Sequence, residues 1–298
     1  RRMNLTGVPS LQAYRDALAA DPAECAALVG DLLIGVTQFF RDPESWTAFA
    51  REAIDPAIAA LADGDTLRAW APGCATGEEA VTLAMLMHER IAAAGRPVVP
   101  LVFATDLDAS SIAVARTGRY PATSLEAMDP ARAARWFDRE GDTVRVAADL
   151  RETLIFATQN VLSDPPFSRL DLITCRNLLI YLDPEAQQRL VGTLHFALRD
   201  GGMMMLGQSE RPERSEQLFT AVNTKQRIYR RLPGTGGQMS RWQDGERRVP
   251  APTAPARSVD GARPHDGAVR AMLRRFAPPA VHVDADFAVR GFHGDLGH

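Results

Sequence analysis

The stretch Trp70-Ala71-Pro72-Gly73-Cys74-Ala75-Thr76-Gly77-Glu78-Glu79 decides the fold. An apolar run, Leu67 to Trp70, reads as a strand. It enters a turn holding two glycines that opens straight into a helix pattern, with Ala80, Leu83, Ala84, Leu86 and Met87 at helical spacing. Gly73 and Gly77 let backbone come close to a ligand, as in α/β folds that grip a nucleoside. Glu78 and Glu79 open the helix where a dinucleotide turn would carry a third glycine. Paired acids at that point repel a pyrophosphate and favour ammonium or hydroxyl groups, so the turn predicts a nucleoside ligand other than a dinucleotide.

Working outward, strand patterns alternate with helix patterns: helix 78 to 94, strand Val98 to Thr105, helix 109 to 117 ended by Gly118, strands Leu154 to Ala157 and Leu170 to Cys175, and helix 184 to 198. Alternation of this kind predicts an α/β fold built on a parallel sheet covered on both faces. Met203 to Gly207 reads as a further strand, 213 to 220 as a helix and Gln226 to Arg231 as a last strand. Gly141-Asp142, between Trp136-Phe137 and Val144-Arg145-Val146, predicts a small hairpin inserted at about 135–153. Ahead of the sheet, 11 to 35 reads as two short helices. Asp42-Pro43-Glu44 then starts another helix, with Asp42 as its cap, and this leaves Thr37 to Arg41 in the preceding loop.

The expected domains are a helical region at 1–50, a main domain at 51–232 carrying the insertion, a linker at 233–264 rich in Gly, Pro, Ala, Arg and Ser, and the start of a further domain at 265–298. The 34 Lys and Arg against 37 Asp and Glu give a net charge of -3, which argues against nonspecific nucleic-acid binding. Cys25, Cys74 and Cys175 form no CxxC pair and have no His at metal-ligand spacing, so neither disulfides nor a metal is expected, and a reducing cytoplasm fits. No apolar run approaches the roughly 20 residues that span a bilayer, so no membrane insertion is expected.

Phe103-Ala104-Thr105-Asp106-Leu107-Asp108 ends a strand in an acid. A carboxylate there can accept hydrogen bonds from both ribose hydroxyls, which makes Asp106 the candidate ligand contact and leaves Asp108 to cap the helix at 109. Asp106 lies 29 positions beyond Gly77, farther than the roughly 20 of the dinucleotide pattern. Arg176-Asn177 follows the strand ending at Cys175, and so faces the crevice where open sheets hold ligands.

Five motifs in order, Gly35-Val36-Thr37-Gln38-Phe39-Phe40-Arg41-Asp42, the Gly-Cys-Ala-Thr-Gly-Glu-Glu turn, Ala104-Thr105-Asp106-Leu107-Asp108, Gln159-Asn160-Val161 and Cys175-Arg176-Asn177-Leu178-Leu179-Ile180-Tyr181, resemble the chemotaxis receptor methyltransferases of the CheR type. The resemblance covers residues 1 to about 232. It implies an S-adenosylmethionine-dependent methyltransferase fold, Rossmann-like, with a small N-terminal helical domain and an inserted β-hairpin subdomain. The implied reaction is methylation of glutamate side chains on the cytoplasmic helices of methyl-accepting chemotaxis receptors, without a metal. By resemblance Thr37, Arg41, Glu78 or Glu79, Asp106, Asn160, Val161, Arg176 and Asn177 bind the cofactor, and Arg176 and Tyr181 stand beside the reacting methyl group. Gly35 replaces an Asn of many family members, so a side-chain contact is lost there.

The resemblance further implies that the helical region meets the receptor, and that Arg1-Arg2 is the tail of a basic helix. The inserted hairpin matches a subdomain that in some members docks a receptor's carboxyl-terminal pentapeptide; with only Gly141-Asp142 at its turn, tight docking is not expected. The run Phe276 to Asp284 looks similar to the entry of a PAS domain, and fusions with PAS and CheB-like methylesterase domains occur in the family. A glutamate, with an ordinary pKa near 4.3, is already ionised at neutral pH and needs no general base; what it needs is alignment. A non-catalytic sensor of S-adenosylmethionine or its demethylated product is the alternative reading. An NAD-dependent oxidoreductase is disfavoured by Glu78-Glu79.

Overall fold

The strands of the main unit are β1 (Thr66–Pro72), β2 (Val99–Asp106), β3 (Arg119–Pro121), β4 (Phe137–Glu140), β5 (Thr143–Val146), β6 (Leu154–Thr158), β7 (Leu170–Cys175), β8 (Leu198–Leu206), β9 (Phe219–Asn223) and β10 (Ile228–Arg231). Seven of them form one sheet in the order β6-β2-β1-β7-β8-β10-β9. The computed structural model describes residues 2–25, 28, 37–212, 217–233, 280–283 and 289–293. The expected helix around Leu32 and Leu33, Gly35-Val36, the linker past Pro233 and the helix Val269 to Phe276 lie outside the described residues.

β1 pairs in parallel with β2 on one side and β7 on the other. The chain thus winds first one way from β1 and then, after β6, the other way. The crevice at the carboxyl ends of β1 and β7 is the point where an open α/β sheet holds a ligand. β7 is buried at every position, as a strand covered on both faces must be. The expectation of a wholly parallel sheet is corrected at its far end. β10 runs antiparallel to both β8 and β9; its pairing with β9 follows from the short turn Thr224–Arg227, since so short a connection can only return antiparallel. The helix read at 213 to 220 is also corrected: 213–216 lie outside the described residues, and Phe219–Asn223 is the edge strand β9.

The helix Glu78–Ala94 stops at Gly95, whose left-handed backbone lets its N–H reach Ala92. Its first half is buried almost all round, with Leu83, Ala84, Met85 and Met87 fully enclosed. Each buried Leu or Met contributes roughly 1.5–3 kcal/mol, so this helix is a central element of the core. Gly77, with φ +99, precedes it. Its role differs from the one expected, because a Cβ there would meet Ala115, Tyr120 and Phe156 at 3.0–3.1 Å. Gly77 is required by close packing of the turn on the helix Ala109–Thr117 and on β6, and not by ligand approach. That second helix is capped by Asp108, which accepts from the N–H groups of Ser110 and Ser111.

The insertion is larger than a hairpin. β3, β5 and β4 form an antiparallel sheet in that order. β3 is three residues ending in Pro121, too short to read as a strand from the sequence. At the amino end, Leu11–Ala20 is a helix capped by Ser10. The helix Pro43–Phe49 continues through a wider turn, Ala50–Ile54, into Asp55–Ala60. The chain divides at Gly245, and in the second unit, 246–298, the described residues form the antiparallel pair β11 (Ala280–Val283) and β12 (Val289–His293).

Gly77→Ala should destabilise the protein by roughly 2 to 5 kcal/mol, from left-handed backbone strain together with overpacking. Denaturant unfolding measures this, and an unchanged midpoint would show that the turn packs loosely.

Candidate functional site

Above the carboxyl ends of the parallel strands lies a cavity of about 480 Å³, within the range of small-molecule sites. Its lining comes from five separate segments: Thr37, Gln38 and Arg41 before the helix Pro43–Phe49; Gly73, Ala75 and Glu79 after β1; Asp106 after β2; Gln159, Asn160 and Val161 after β6; and Arg176, Asn177 and Tyr181 after β7. Of the residues expected at the site, Glu78 alone is not among the lining. It is buried beside the turn, where its carboxylate accepts from the Thr76 hydroxyl at 2.7 Å.

The segment 37–42 is fixed by its phenylalanines. Phe39 is buried edge-on against Tyr120 and Phe137, with centroids 5.0 and 5.2 Å away. Phe40 lies under the Arg132 guanidinium, and its N–H donates to the Thr82 hydroxyl. The chain reaches this position through left-handed backbone at Phe40 and Asp42. Ala75 and Asn177, which line the cavity, are left-handed as well, and Phe40 and Asp42 flank the lining residue Arg41, so four of the six non-glycine residues with positive φ among the described residues lie at or next to the cavity wall. Strain concentrated in this way is characteristic of a ligand site held by its surroundings. Gly73, with φ +69, supplies the bend after β1, and a Cβ on it would press on Leu178 at 3.2 Å.

Asp106 uses both oxygens, one accepting from Ala75 N–H of the glycine turn at 2.7 Å and the other from Asp108 N–H of its own loop at 2.9 Å. Its carboxylate is therefore fixed in direction at the cavity wall, with lone pairs to spare for further donors. The Asn160 side-chain oxygen accepts from Leu162 N–H and folds the loop after β6. Tyr181 closes a short helical turn, Leu179–Tyr181, and is 61% exposed at the cavity mouth.

The charged centre is Arg176, only 4% exposed. Its Nη2 donates to Asp42 at 2.5 Å, its guanidinium lies 5.4 Å from the Trp46 ring centroid, and its Nε has no partner. Here Asp42 departs from expectation. It precedes the helix, yet its side chain makes no capping bond and binds Arg176 instead. Sequence reasoning missed this pairing because 134 residues separate the two.

Glu79 faces the same centre. Burial raises its carboxyl to about 7, with Arg176 pulling the other way and the negative Glu210 adding to the rise; one of its oxygens is enclosed without a partner. Gln159, whose Nε2 donates to Pro165 at 3.0 Å, also has an enclosed, unpartnered oxygen. Burial pushes the thiols of Cys74 and Cys175 well up, so neither is a nucleophile at neutral pH. Among the described residues no group of three His, Cys, Asp or Glu side chains could hold a metal ion, and no helix is long and apolar enough to cross a membrane.

A doubly wound sheet with a glycine turn after its central strand, an acid after the next strand and a cavity at the switch point defines a nucleoside-binding α/β protein. More narrowly, residues 35–228 match the family described as CheR methyltransferase, SAM binding domain. The chain belongs to that family, and its fold is the Rossmann-like fold of S-adenosylmethionine-dependent methyltransferases.

It is 37% identical over 297 residues to an uncharacterized 104.1 kDa protein in the hypE 3' region of Rhodobacter capsulatus, covering 99% of this chain and 31% of that one. The chain thus spans about a third of that relative's length. It is 31% identical over 235 residues to chemotaxis protein methyltransferase 2 of Pseudomonas aeruginosa, with 77% and 81% covered. Against the probable biofilm formation methyltransferase WspC of the same organism it is 29% identical over 287 residues, with 94% and 67% covered.

The residues present fit the family's cofactor. Enclosed acceptors on Glu79 and Gln159 and an enclosed donor on Arg176 lack partners. An amino acid joined to a nucleoside carries the matching ammonium, amine and carboxylate groups.

The raised proton affinity of Glu79 makes stability depend on pH. Its folded pKa of about 7 lies above the ordinary value near 4.5, so between these values the folded protein binds the more protons. Stability should fall as pH rises from about 4.5 to about 7, by up to about 3 kcal/mol, and Glu79→Gln should flatten that slope in unfolding titrations. A ligand ammonium beside Glu79 would expel its proton. Calorimetry of S-adenosylhomocysteine at pH 7 in buffers of different ionisation enthalpy should therefore detect proton release from the native protein and none from Glu79→Gln.

Proposed function

We propose that the chain transfers the methyl group of S-adenosylmethionine to glutamate carboxylates on the cytoplasmic helices of chemotaxis receptors, in the cytoplasm. The observation that carries this reading is that one cavity is lined by both a buried cation, Arg176, and an exposed tyrosine, Tyr181. The cofactor, when bound, supplies an electrophilic methyl: the glutamate oxygen forms the new C–O bond, the C–S bond breaks with its electrons on sulfur, and S-adenosylhomocysteine leaves.

The protein's part is binding and alignment. Glu79 and Asp106 suit the ammonium and the ribose hydroxyls, Thr37 and Arg41 close the side of the cavity formed by the helical region, and Asn160, Val161 and Asn177 line the remainder. Arg176 offers N–H donors to a carboxylate and Tyr181 one hydroxyl. No proton need move, because the acceptor is already ionised. Tyr181 at the mouth favours transfer over sensing, since a sensor has no use for a donor beyond the bound nucleoside. The name of the Pseudomonas aeruginosa chemotaxis relative supports the receptor as substrate. The strand pair in 246–298 supports a PAS-like segment there, and the length of the Rhodobacter capsulatus relative is compatible with further fused domains, among which a CheB-like one is part of this proposal.

Transfer of labelled methyl from S-adenosylmethionine to the host's purified receptor signalling domains tests the reading. Arg176→Ala should lower turnover by about 100-fold, the scale of lost alignment. Tyr181→Phe should lower it by about 3- to 10-fold, the scale of one neutral hydrogen bond, with cofactor affinity retained. Normal turnover of both variants would remove the assignment. With only Gly141-Asp142 joining β4 to β5, receptor carboxyl-terminal pentapeptides should bind no tighter than millimolar, and micromolar affinity by calorimetry would overturn that expectation.

A further inference from the structure

Arg176, Asn177, Leu178, Ile180 and Tyr181 reach the cavity from one short stretch after β7. Such a loop, with left-handed backbone at Asn177 (φ +60), has no regular hydrogen-bond ladder to hold it. Gln187 holds carbonyls of the stretch, donating to Leu179 and Leu182, and a carboxylate just past the next strand holds the N–H groups of Asn177 and Leu179. Glu210, just beyond β8 and 3% exposed, accepts from Asn177 N–H at 2.9 Å and Gly207 N–H at 2.6 Å with one oxygen, and from Leu179 N–H at 2.8 Å with the other. We propose that Glu210 is the positioning residue of this site: its carboxylate clasps the backbone on either side of Leu178, and so sets where Arg176, Asn177 and Tyr181 stand.

The geometry separates this role from ordinary core filling. Three N–H donors converge on one ionisable group, and only an acceptor at both oxygens satisfies them all. Gly207 completes the clasp by what it lacks. A Cβ there would lie 2.5 Å from Glu210 Oε2 and 3.1 Å from Asn177 N. Gly207 does not have the positive φ that favours glycine, so its smallness serves the carboxylate and not the backbone. Two residues of different chemistry therefore predict one phenotype. A glutamine at 210 sets an NH2 group against at least one N–H, and an alanine at 207 pushes the carboxylate off the loop.

The inference rests on the S-adenosylmethionine reading for its ligand, and the experiment keeps the two apart. Amide hydrogen exchange and S-adenosylhomocysteine calorimetry are run on the whole chain for the native protein, Glu210→Gln, Gly207→Ala and Leu150→Ala. Leu150→Ala is a control that lowers global stability from a fully buried site in the insertion. The expected result is rapid exchange at Asn177 and Leu179 in both clasp variants, with affinity for S-adenosylhomocysteine about tenfold weaker, the scale of one lost charge-assisted hydrogen bond. Leu150→Ala should keep native affinity despite a lower unfolding midpoint.

Native affinity in a clasp variant whose loop exchanges freely would overturn the proposal, and so would an affinity that falls equally in Leu150→Ala. If Glu210→Gln does not fold, Gly207→Ala decides. If the native protein binds no S-adenosylhomocysteine, the cofactor reading fails, and exchange at Asn177 and Leu179 alone then decides the clasp, with native protection in both variants refuting it.

Discussion

Arg176 carries a full positive charge almost entirely withdrawn from water, and withdrawing such a charge costs several kcal/mol even after the protein relaxes. The groups that offset this cost come from distant parts of the chain. Asp42 supplies a direct ion pair from the helical region and Trp46 offers its ring face from the same region, while Glu79, in the first turn of the helix Glu78–Ala94, interacts with the same charge. The pairing with Asp42 ties the segment before the helix Pro43–Phe49 to the carboxyl end of β7. The helical region is thereby fastened to the sheet at the cavity wall, so the site is completed only when both parts have folded and met.

The two acids nearest the glycine turn show how environment sets role. Asp106 spends its oxygens on backbone N–H groups of the turn and of its own loop, which fixes its direction at a solvated wall. Glu79 sits deeper, with one oxygen enclosed and unpartnered, and its proton affinity rises accordingly. A carboxyl poised near neutrality beside an arginine can shed its proton when a cation arrives and regain it when the cation leaves. Burial and the repulsion of Glu210 keep it from ionising outright in the free protein, while Arg176 keeps the shift moderate.

Much of this was legible in the sequence, for identifiable reasons. The strand-turn-helix at Leu67 to Met87 is local, and local signals of period and punctuation were enough to place β1 and the helix Glu78–Ala94. Asp108 declared itself as a cap through its position before Ala109, and the structure gives it that role. What the sequence obscured is long-range or sub-threshold. The pairing of Asp42 with Arg176 has no local signature, and a residue whose spacing reads as a helix cap was claimed by a stronger partner. Gly77 looked like a ligand contact because glycine serves close approach of any kind; only the fold reveals that the neighbours are Ala115, Tyr120 and Phe156. β3 was invisible because three residues carry no period, and the antiparallel edge was hidden because a strand's direction depends on the length of its connection.

The same distinction explains why the cavity-lining charges were easier to foresee than their supports. Cavity-lining groups sit at strand ends, and strand ends are marked by the close of an apolar run, so Asp106 and Arg176 could be placed before any contact was known. Their supports sit wherever the chain happens to return. Glu210 follows β8, one strand beyond the loop it holds, and reaches that loop because β7 and β8 are parallel neighbours in register from Leu172↔Met203 to Cys175↔Leu206. That register carries the residues after Leu206 alongside those after Cys175, and an acid three positions past Gly207 then meets N–H groups that no sheet ladder satisfies. Strand pairing fixes the loop's position to within a residue, and the carboxylate then fixes its orientation.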